Sequence, residues 1–534
     1  MANVNAAAGA DGLDANQAGT FLGHPRGLYV LFFAEMWERF SYYGMRALLI
    51  FYLTKHWLFD DGKANLIYGA YTSLVYITPV LGGYLADKYL GQRRAVQFGA
   101  VLLTIGHFLM AFEGEGGQTD ATINVFWAAL AFIIVGTGFL KANISVIVGQ
   151  LYPRTDVRRD GAYTIFYIGI NLGAFIGTIT AGWLGETYGW AYGFGAAGVG
   201  MLLGLVVFIW GKPLLMGRGE APDPARLRAP VGGLPFEWLL YLLSAASIAL
   251  IWVLIQFQDV IGNLLLASGA ALLGYILIVA VRLPREDRDR IFAIIFLLAL
   301  QPVFWGLFEQ AGGSLNLFTD RFVDRGGVPA SIFQSINPFY IMALGPVFAW
   351  LWTALGRRGL EPSTPAKFGL ALAQVGFSFL VLVWGAHAVG LDQATPIIFI
   401  FLIYLFQTTG ELCLSPVGLS AMNRLSPRQM AGLIMGAWFF ATAGGNFVAG
   451  KIGEATGGES GDATKESILA IYSQIGWITL GVAAAVLLVS PVIKKLMHLN
   501  TLRDDPGVDT GLAGEPEIGE PKAAGFRPDK EMKA

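Results

Sequence analysis

Charge is scarce in this chain. Asp, Glu, Lys and Arg together make up 14% of its 534 residues, against roughly a quarter in soluble proteins, while 55% are hydrophobic. A water-soluble fold of this length cannot hide so much apolar surface, because much of any such chain ends at the water boundary. Cysteine is scarcer still. Cys413 is the single one, which excludes a disulfide framework and a cysteine-based metal site. Five scattered histidines give no ligand cluster of the zinc-enzyme kind, so no metal is expected. A net charge of −2 argues against a generally basic chain that binds nucleic acid. Residues 1–20 are polar and rich in Ala, Gly and Asn, without the basic stretch and short apolar core of a cleavable signal peptide. The first apolar span is expected to serve as the insertion signal.

What the chain has instead is a succession of apolar runs, each long enough to cross a hydrocarbon core of about 30 Å. In lipid such runs are helical, since every backbone N–H and C=O needs an internal partner. Fourteen spans are predicted, at 28–55, 66–90, 95–113, 123–150, 162–184, 190–211, 235–257, 262–281, 290–318, 331–355, 367–388, 395–418, 429–450 and 467–493. One set of loops and flanks, from Arg26 and Lys88 to Lys494 and Lys495, carries 22 cations; the other set carries six. By the positive-inside rule both termini face the cytoplasm of a cell whose plasma (inner) membrane holds the chain. The spans divide as six, two and six. This gives a cytoplasmic N-terminal segment (1–24), a first six-helix bundle (25–211), a linker with two extra helices (212–289) and a second bundle (290–495). An acidic tail at 496–534, rich in Gly and Pro, is expected to be disordered. The fold class is thus all-α and polytopic, with two bundles meeting at a midplane site, the common repeat logic of secondary transporters.

Seven charges stand where the membrane core should be: Glu35, Glu38, Glu309 and Glu411 against Arg39, Arg46 and Lys141. Each costs at least about 2.5–3.5 kcal/mol at the bilayer centre, so a wet pathway with paired charges is the default reading. The plainer alternative is a set of salt bridges that hold helices together, but packing does not require so many. At 100° per residue, Glu35, Arg39, Tyr42 and Arg46 fall within about 60° of one another, with Glu38 beside them. On the predicted 290–318 helix, Trp305, Glu309 and Asn316 share a face. Asn171 and Asn337 add neutral hydrogen-bonding groups; for either alone an interhelical contact is the better explanation, but taken with the charges they favour a cavity. Fully ionised, the seven carry one excess negative charge, which a zwitterionic ligand leaves unchanged and one proton cancels. Proton uptake near neutrality is therefore expected at a carboxylate among them, without an indication of which.

Residues 35–44, EMWERFSYYG, resemble the ExxERFxYYG signature of the proton-coupled oligopeptide transporter family. YTIFYIGINLGAF (163–175) is similar to that family's second signature, and GGYLADKYLGQRR (82–94) to a loop motif of the wider major facilitator superfamily. GTGFLKANIS (136–145), FWGLFEQ (304–310), QSINPFY (334–340) and GELCLSPVGLS (410–420) extend the likeness, which runs from about residue 25 to 495. The resemblance implies a twelve-helix major facilitator body whose central cavity opens alternately to each side, the pair at 235–281 being the insertion of bacterial members. It implies import of di- and tripeptides driven by the proton gradient, with no cofactor. Glu35, Glu38 and Arg39 would form the proton-coupling cluster with Lys141 competing for the carboxylates, and Arg46 with Glu309 a proton-sensitive gate. Arg46 and Lys141 would meet the peptide carboxylate, Glu411 its amino group, and Asn171 and Asn337 its backbone. Tyr42, Tyr43, Tyr76, Trp305 and Trp438 would line side-chain pockets; for Tyr76 and Trp438 ordinary packing is an equal alternative. Opposed charged clamps suit a ligand with fixed opposite charges, and aromatic surfaces tolerate varied side chains.

Milder readings attach to other groups. Asp87, Lys88 and Arg93, with Arg94, suit a latch between helix ends better than a ligand site, and His107 and His387 suit packing. The acidic tail either solvates or folds back on the cationic face. A carrier of another small solute on the same scaffold, such as nitrate or a drug-like compound, is the nearest rival, although an acidic amine acceptor at Glu411 has no use in a nitrate carrier. A peptide receptor that does not transport is a further rival, and an intramembrane enzyme lacks a convincing nucleophile–base pair. A monomer in the lipid bilayer is the expected working unit.

Overall fold

The structure is a computed structural model that describes residues 19–153, 158–458 and 463–502, together with 16 and 156. The predicted tail from 503 onward, most of the N-terminal segment 1–24, and Arg154 lie outside the described residues. Fourteen long helices run through the described residues. The first six are α1 (Arg26–Phe51), α2 (Asp61–Leu85), α3 (Gln92–Met110), α4 (Ile123–Gln150), α5 (Arg159–Tyr188) and α6 (Trp190–Gly211). The inserted pair is α7 (Phe236–Leu254) and α8 (Gln258–Ala280). The last six are α9 (Arg285–Phe308), α10 (Ile336–Arg357), α11 (Thr364–Val389), α12 (Ile398–Leu425), α13 (Ala431–Thr456) and α14 (Lys465–Leu496). Extended pairing among the described residues is confined to three ladders of two-residue strands in loops.

Among the described residues, twelve membrane-length helical segments are apolar enough to cross a bilayer on hydropathy alone. The two helices outside that set are α1 and α3. Glu35, Glu38, Arg39 and Arg46 interrupt the first, and Arg93, Arg94 and His107 lower the hydropathy of the second. The third span also begins three residues before its predicted start. Gly91, at φ 77°, turns the chain into α3, and the Arg93 N–H donates to Gly219 O at 2.8 Å.

The buried apolar side chains form two clusters, one built on α1–α6 and one on α9–α14. Leu240, Ile248, Ile261 and Leu265 of the inserted pair join the first, while Ile276 and Ala280 join the second, so the pair leans on both bundles. The predicted span at 290–318 is not one continuous helix. After Phe308 the chain passes through a 3-10 turn, Glu309–Gly312, and Gly313 before resuming as Ser314–Phe322. That break rotates everything beyond it relative to α9.

The bundles meet most tightly at the end opposite the cation-rich loops. There α2 crosses α13 so closely that a Cβ on Gly69 would stand 2.6 Å from Gly450 Cα; only glycine permits that approach. Around the crossing, Lys55 pairs with Asp320 at 2.7 Å. Arg321 grips both oxygens of Asp61, one at 2.8 Å. Asn316 donates to Ala47 O at 3.2 Å, and Glu186 accepts the Ser331 N–H at 2.8 Å. On α2 every residue from Ala64 to Val75 is buried, whereas Val80, Leu81 and Tyr84, nearer the cation-rich end, are exposed.

Candidate functional site

Between the bundles lies a cavity with about 70 Å³ of water-accessible space, room for several waters. Its walls come from α1, α2 and α5 on one side and from α9, α10, α12 and the turn after α9 on the other. Eight predicted residues line it: Tyr43, Arg46, Tyr76, Asn171, Trp305, Glu309, Asn337 and Glu411. Proline recurs beside them, with Pro79 three residues after Tyr76, Pro302 three before Trp305 and Pro416 five after Glu411. Each removes a backbone donor from its helix and weakens it locally.

On α1 the charges form two groups. The first is internal to the helix: Arg39 Nε donates to Glu35 Oε1 at 2.7 Å and stands 3.2 Å from Glu38 Oε2. All three side chains are buried, since α5 presses on α1 at this level; a Cβ on Gly173 would fall 2.1 Å from Met36 O. The second group reaches outward. Arg46 donates to Glu309 of the opposite bundle and to the Tyr68 hydroxyl, with its guanidinium 5.7 Å from the ring centres of both Tyr43 and Tyr68. Glu309 occupies the first residue of the turn that ends α9, so the helix break is what presents its carboxylate to Arg46.

Lys141 is buried and lies outside the cavity wall, but its ammonium sits 3.9 Å from the centre of the Tyr76 ring, and Tyr76 is in the wall. On the facing side, Asn337 Nδ2 donates to Glu411 Oε2 and to Thr408 Oγ1, both at 3.0 Å. Trp305 Nε1 is held by Gln301 Oε1 at 2.6 Å, and Asn171 Nδ2 bonds Tyr167 O at 3.1 Å. One wall therefore presents a guanidinium and the other a carboxylate fixed by an amide, with aromatic rings from both bundles between them.

Some expected residues are elsewhere. Tyr42 shares the charged stripe of α1, yet it is buried outside the cavity wall with its ring 5.2 Å from that of Tyr43. Trp438 packs into the second bundle's core over Gly418, whose added Cβ would meet the indole at 2.2 Å. Asn316, turned by the break after Phe308, bonds the backbone of α1 instead of sharing the face of Trp305 and Glu309. The predicted latch is also divided. Asp87 accepts from Gln92 Nε2 at 2.7 Å, Lys88 bonds Tyr84 at 2.7 Å, and Arg93 pairs with Glu220 in the linker after α6. No group of three or more metal-ligating side chains occurs among the described residues.

Tyr167, Gln334 and Tyr404 also line the cavity, and Tyr68, outside the wall, shares Arg46. Tyr68 and Tyr76 stand eight residues apart with Thr72 between them, on one side of α2, a pattern that was available as a signal.

Residues 93–462 match the model of the POT family. The peptide transporter YePEPT of Yersinia enterocolitica is 38% identical over 466 residues, covering 81% of this chain and 88% of its own length. Dipeptide and tripeptide permease A of Edwardsiella piscicida is 32% identical over 484 residues, covering 88% of this chain and 95% of its own. A crystal structure of a mutant of the peptide transporter POT in complex with alafosfalin aligns with a TM-score of 0.78 at 35% identity, over 91% of this chain and 100% of that one. Two six-helix bundles with an inserted helix pair, arranged like these structures, make the fold that of a major facilitator, and the chain belongs to the POT family of membrane transporters.

Proposed function

We propose that this chain is a symporter that carries di- and tripeptides together with protons, its central cavity opening alternately to the two sides of the membrane. One observation carries the reading: a single cavity between the bundles has Arg46 on one wall and Glu411, bonded to Asn337, on the other. A short peptide bears one charge of each sign at a fixed spacing and varied side chains between them. Such a ligand meets a complementary charge at each end, and Tyr43, Tyr76 and Trp305 offer aromatic surface without demanding one side chain. The names of the relatives, a peptide transporter and a di- and tripeptide permease, support the substrate class, as does the peptidomimetic in the similar crystal structure.

On this reading Glu35, Glu38 and Arg39 couple the proton, Lys141 competes for the same carboxylates, and Arg46 with Glu309 closes the cation-poor end. The cation-rich end faces the cytoplasm, with both termini, and the chain works in the plasma membrane as a monomeric carrier without a cofactor or an enzymatic step. Uptake of labelled dialanine into proteoliposomes, with and without an acid-outside pH gradient, tests it. Accumulation above equilibrium is expected only with the gradient; equal uptake in its presence and absence sinks the coupling, and no uptake of any peptide sinks the substrate class.

A further inference from the structure

The inserted pair contributes nothing to the cavity wall, yet its two helices are anchored to different bundles. α7 belongs to the first. At its cation-rich end Glu237 lies 3.1 Å from Arg94 of α3, and the Tyr241 ring stacks on Phe98 of α3 at 4.8 Å. At its cation-poor end Trp252 Nε1 donates to Asn124 O, at the start of α4, at 3.1 Å. α8 follows the second bundle along its length. Gly262 and Gly269 lie under Phe447 and Phe440 of α13, where an added Cβ would stand 2.6 Å and 3.0 Å from those rings. Ile276 and Ala280 join the second apolar cluster, and four residues, 281–284, lead straight into α9.

The backbone joins the two helices to each other at the cation-poor end, through residues 255–257. From Trp252 to Gln258 the chain reaches at most about 20 Å even when fully extended, and here it is wound into a helix end and a turn. Gln258 reinforces the join. It is buried, donates from Nε2 to Ile255 O at 2.6 Å, and accepts from Lys63 Nζ, at the start of α2, at 2.6 Å. A first-bundle residue thus holds the start of a helix packed on the second bundle. Asp259, 3.5 Å from Lys451, adds little, because both side chains are exposed. Ile261 and Leu265 join the first bundle's cluster, but such apolar contacts are non-directional and a sliding helix can exchange them. At the cation-rich end the chain enters α7 from the linker after α6 and leaves α8 for α9, so the backbone does not join the pair there.

We propose that the inserted pair is a strap between the bundles that restrains opening at the cation-poor end and leaves the cation-rich end free to open. The inference rests on the alternating opening described under the proposed function. Moving the start of α4 away from α13 at the cation-poor end has to unwind residues 253–257 and break the Lys63–Gln258 bond. Separation at the other end only splays α7 from α8.

The test lengthens the strap in the full chain, held in nanodiscs. Four flexible residues inserted between Gln256 and Phe257 are compared with the same insertion between Gly232 and Gly233, an exposed turn of the linker. Spin labels at the start of α2 and on the Ser314–Phe322 helix read the cation-poor end; labels at the ends of α4 and α12 read the other. The first insertion should raise the ratio of long to short distances at the cation-poor end at least about fivefold, the worth of one hydrogen bond, and leave the cation-rich end unchanged. The linker insertion should alter neither. An unchanged cation-poor end overturns the strap, as do equal effects of the two insertions. These distances are read without transport, so their outcome is separate from that of the uptake assay. A second arm keeps the native length: Lys63→Cys with Gln258→Cys, in a chain carrying Cys413→Ala, joined by a short cleavable thiol crosslinker. That bridge should stop dialanine uptake until it is cleaved, whereas Asn124→Cys with Trp252→Cys, bridged within the first bundle, should transport as before. Uptake through an intact bridge between positions 63 and 258 would overturn the proposal.

Discussion

Within α1, Glu35, Glu38 and Arg39 are bonded to one another, whereas Arg46, two turns further along, is bonded to Glu309 of the opposite bundle. At about 1.5 Å per residue the two groups are separated by roughly 10–16 Å along the helix. The first keeps its geometry for as long as α1 remains a helix, however the bundles move. The second exists only while the bundles are together. The internal cluster can therefore change its charge without a change of shape, and the bridging pair cannot break without one. On the proposed cycle this separates a proton-sensing element from a shape-reporting one, both carried by a single helix.

The hardest blow to that division is Glu309→Ala. It leaves the buried Arg46 guanidinium without its carboxylate, a penalty of about 3–5 kcal/mol that falls on the conformer closed at the cation-poor end. Distances between spin labels at the start of α2 and on the Ser314–Phe322 helix should lengthen, and gradient-driven uptake should collapse. Unchanged distances would mean that the pair does not hold that end shut. Glu38→Gln should act the other way round. It removes a charge-assisted contact worth about 1.5–3 kcal/mol, lowering gradient-driven uptake ten- to hundredfold, while the spin-label distances stay as they are. Should the distances change as well, the two groups are not independent. Asn337→Ala tests the facing wall, outside both groups: loss of its bond to Glu411 should raise KM about tenfold for about 1.4 kcal/mol at an unaltered pH optimum.

The smallest effect concerns a pH-sensitive group far from either cluster. In the loop between α3 and α4, the Asp120 carboxylate is depressed from 3.8 to about 2, chiefly by the Thr122 hydroxyl and by the N–H groups of Thr122, Glu115 and Gly116. A depressed carboxylate adds stability that is complete above its unfolded value and fades as pH falls through the folded one, here from about pH 4 to about 2. Protection from hydrogen exchange at Glu115 and Gly116, relative to the intrinsic rate at each pH, should thus be constant between pH 5 and 8 in the unmodified chain and lower in Asp120→Asn. A change in protection between pH 5 and 8 would make this loop a competing source of pH dependence.

Much of this architecture is legible in the sequence, for reasons that also mark the limit. Apolar runs give the helices, and a charged stripe gives α1 a wet or paired face even though its charges exclude it from a hydropathy count. Periodicity says which residues share a face but not what the face meets. Tyr42 lies within about 60° of Arg39 and Arg46 on the helix wheel, yet packing against neighbouring helices leaves it outside the cavity. The same ambiguity hides Trp438, whose position is set by Gly418, the glycine it covers on the preceding helix. For Asn316 the limit is different: a shared face with Glu309 requires a continuous helix, and the GlnAlaGlyGly stretch at 310–313 unwinds it. Tyr68 is not distinguished by its own helix, because a tyrosine in an apolar helix is ordinary until a guanidinium arrives from another. Glu220, the partner of Arg93, sits in a linker that carries no periodic signal at all.

The crossing of Gly69 and Gly450 has a mechanical consequence. At the Gly69–Gly450 pair the two helices touch through backbone, with side-chain contacts only to either side, the Ser73 hydroxyl on Ala443 O and Asn65 over Gly453, so one rod can roll on the other with few rotamers having to change. A fulcrum of that kind lets the large bodies on either side tilt at small local cost, and a methyl group placed there would act as a wedge.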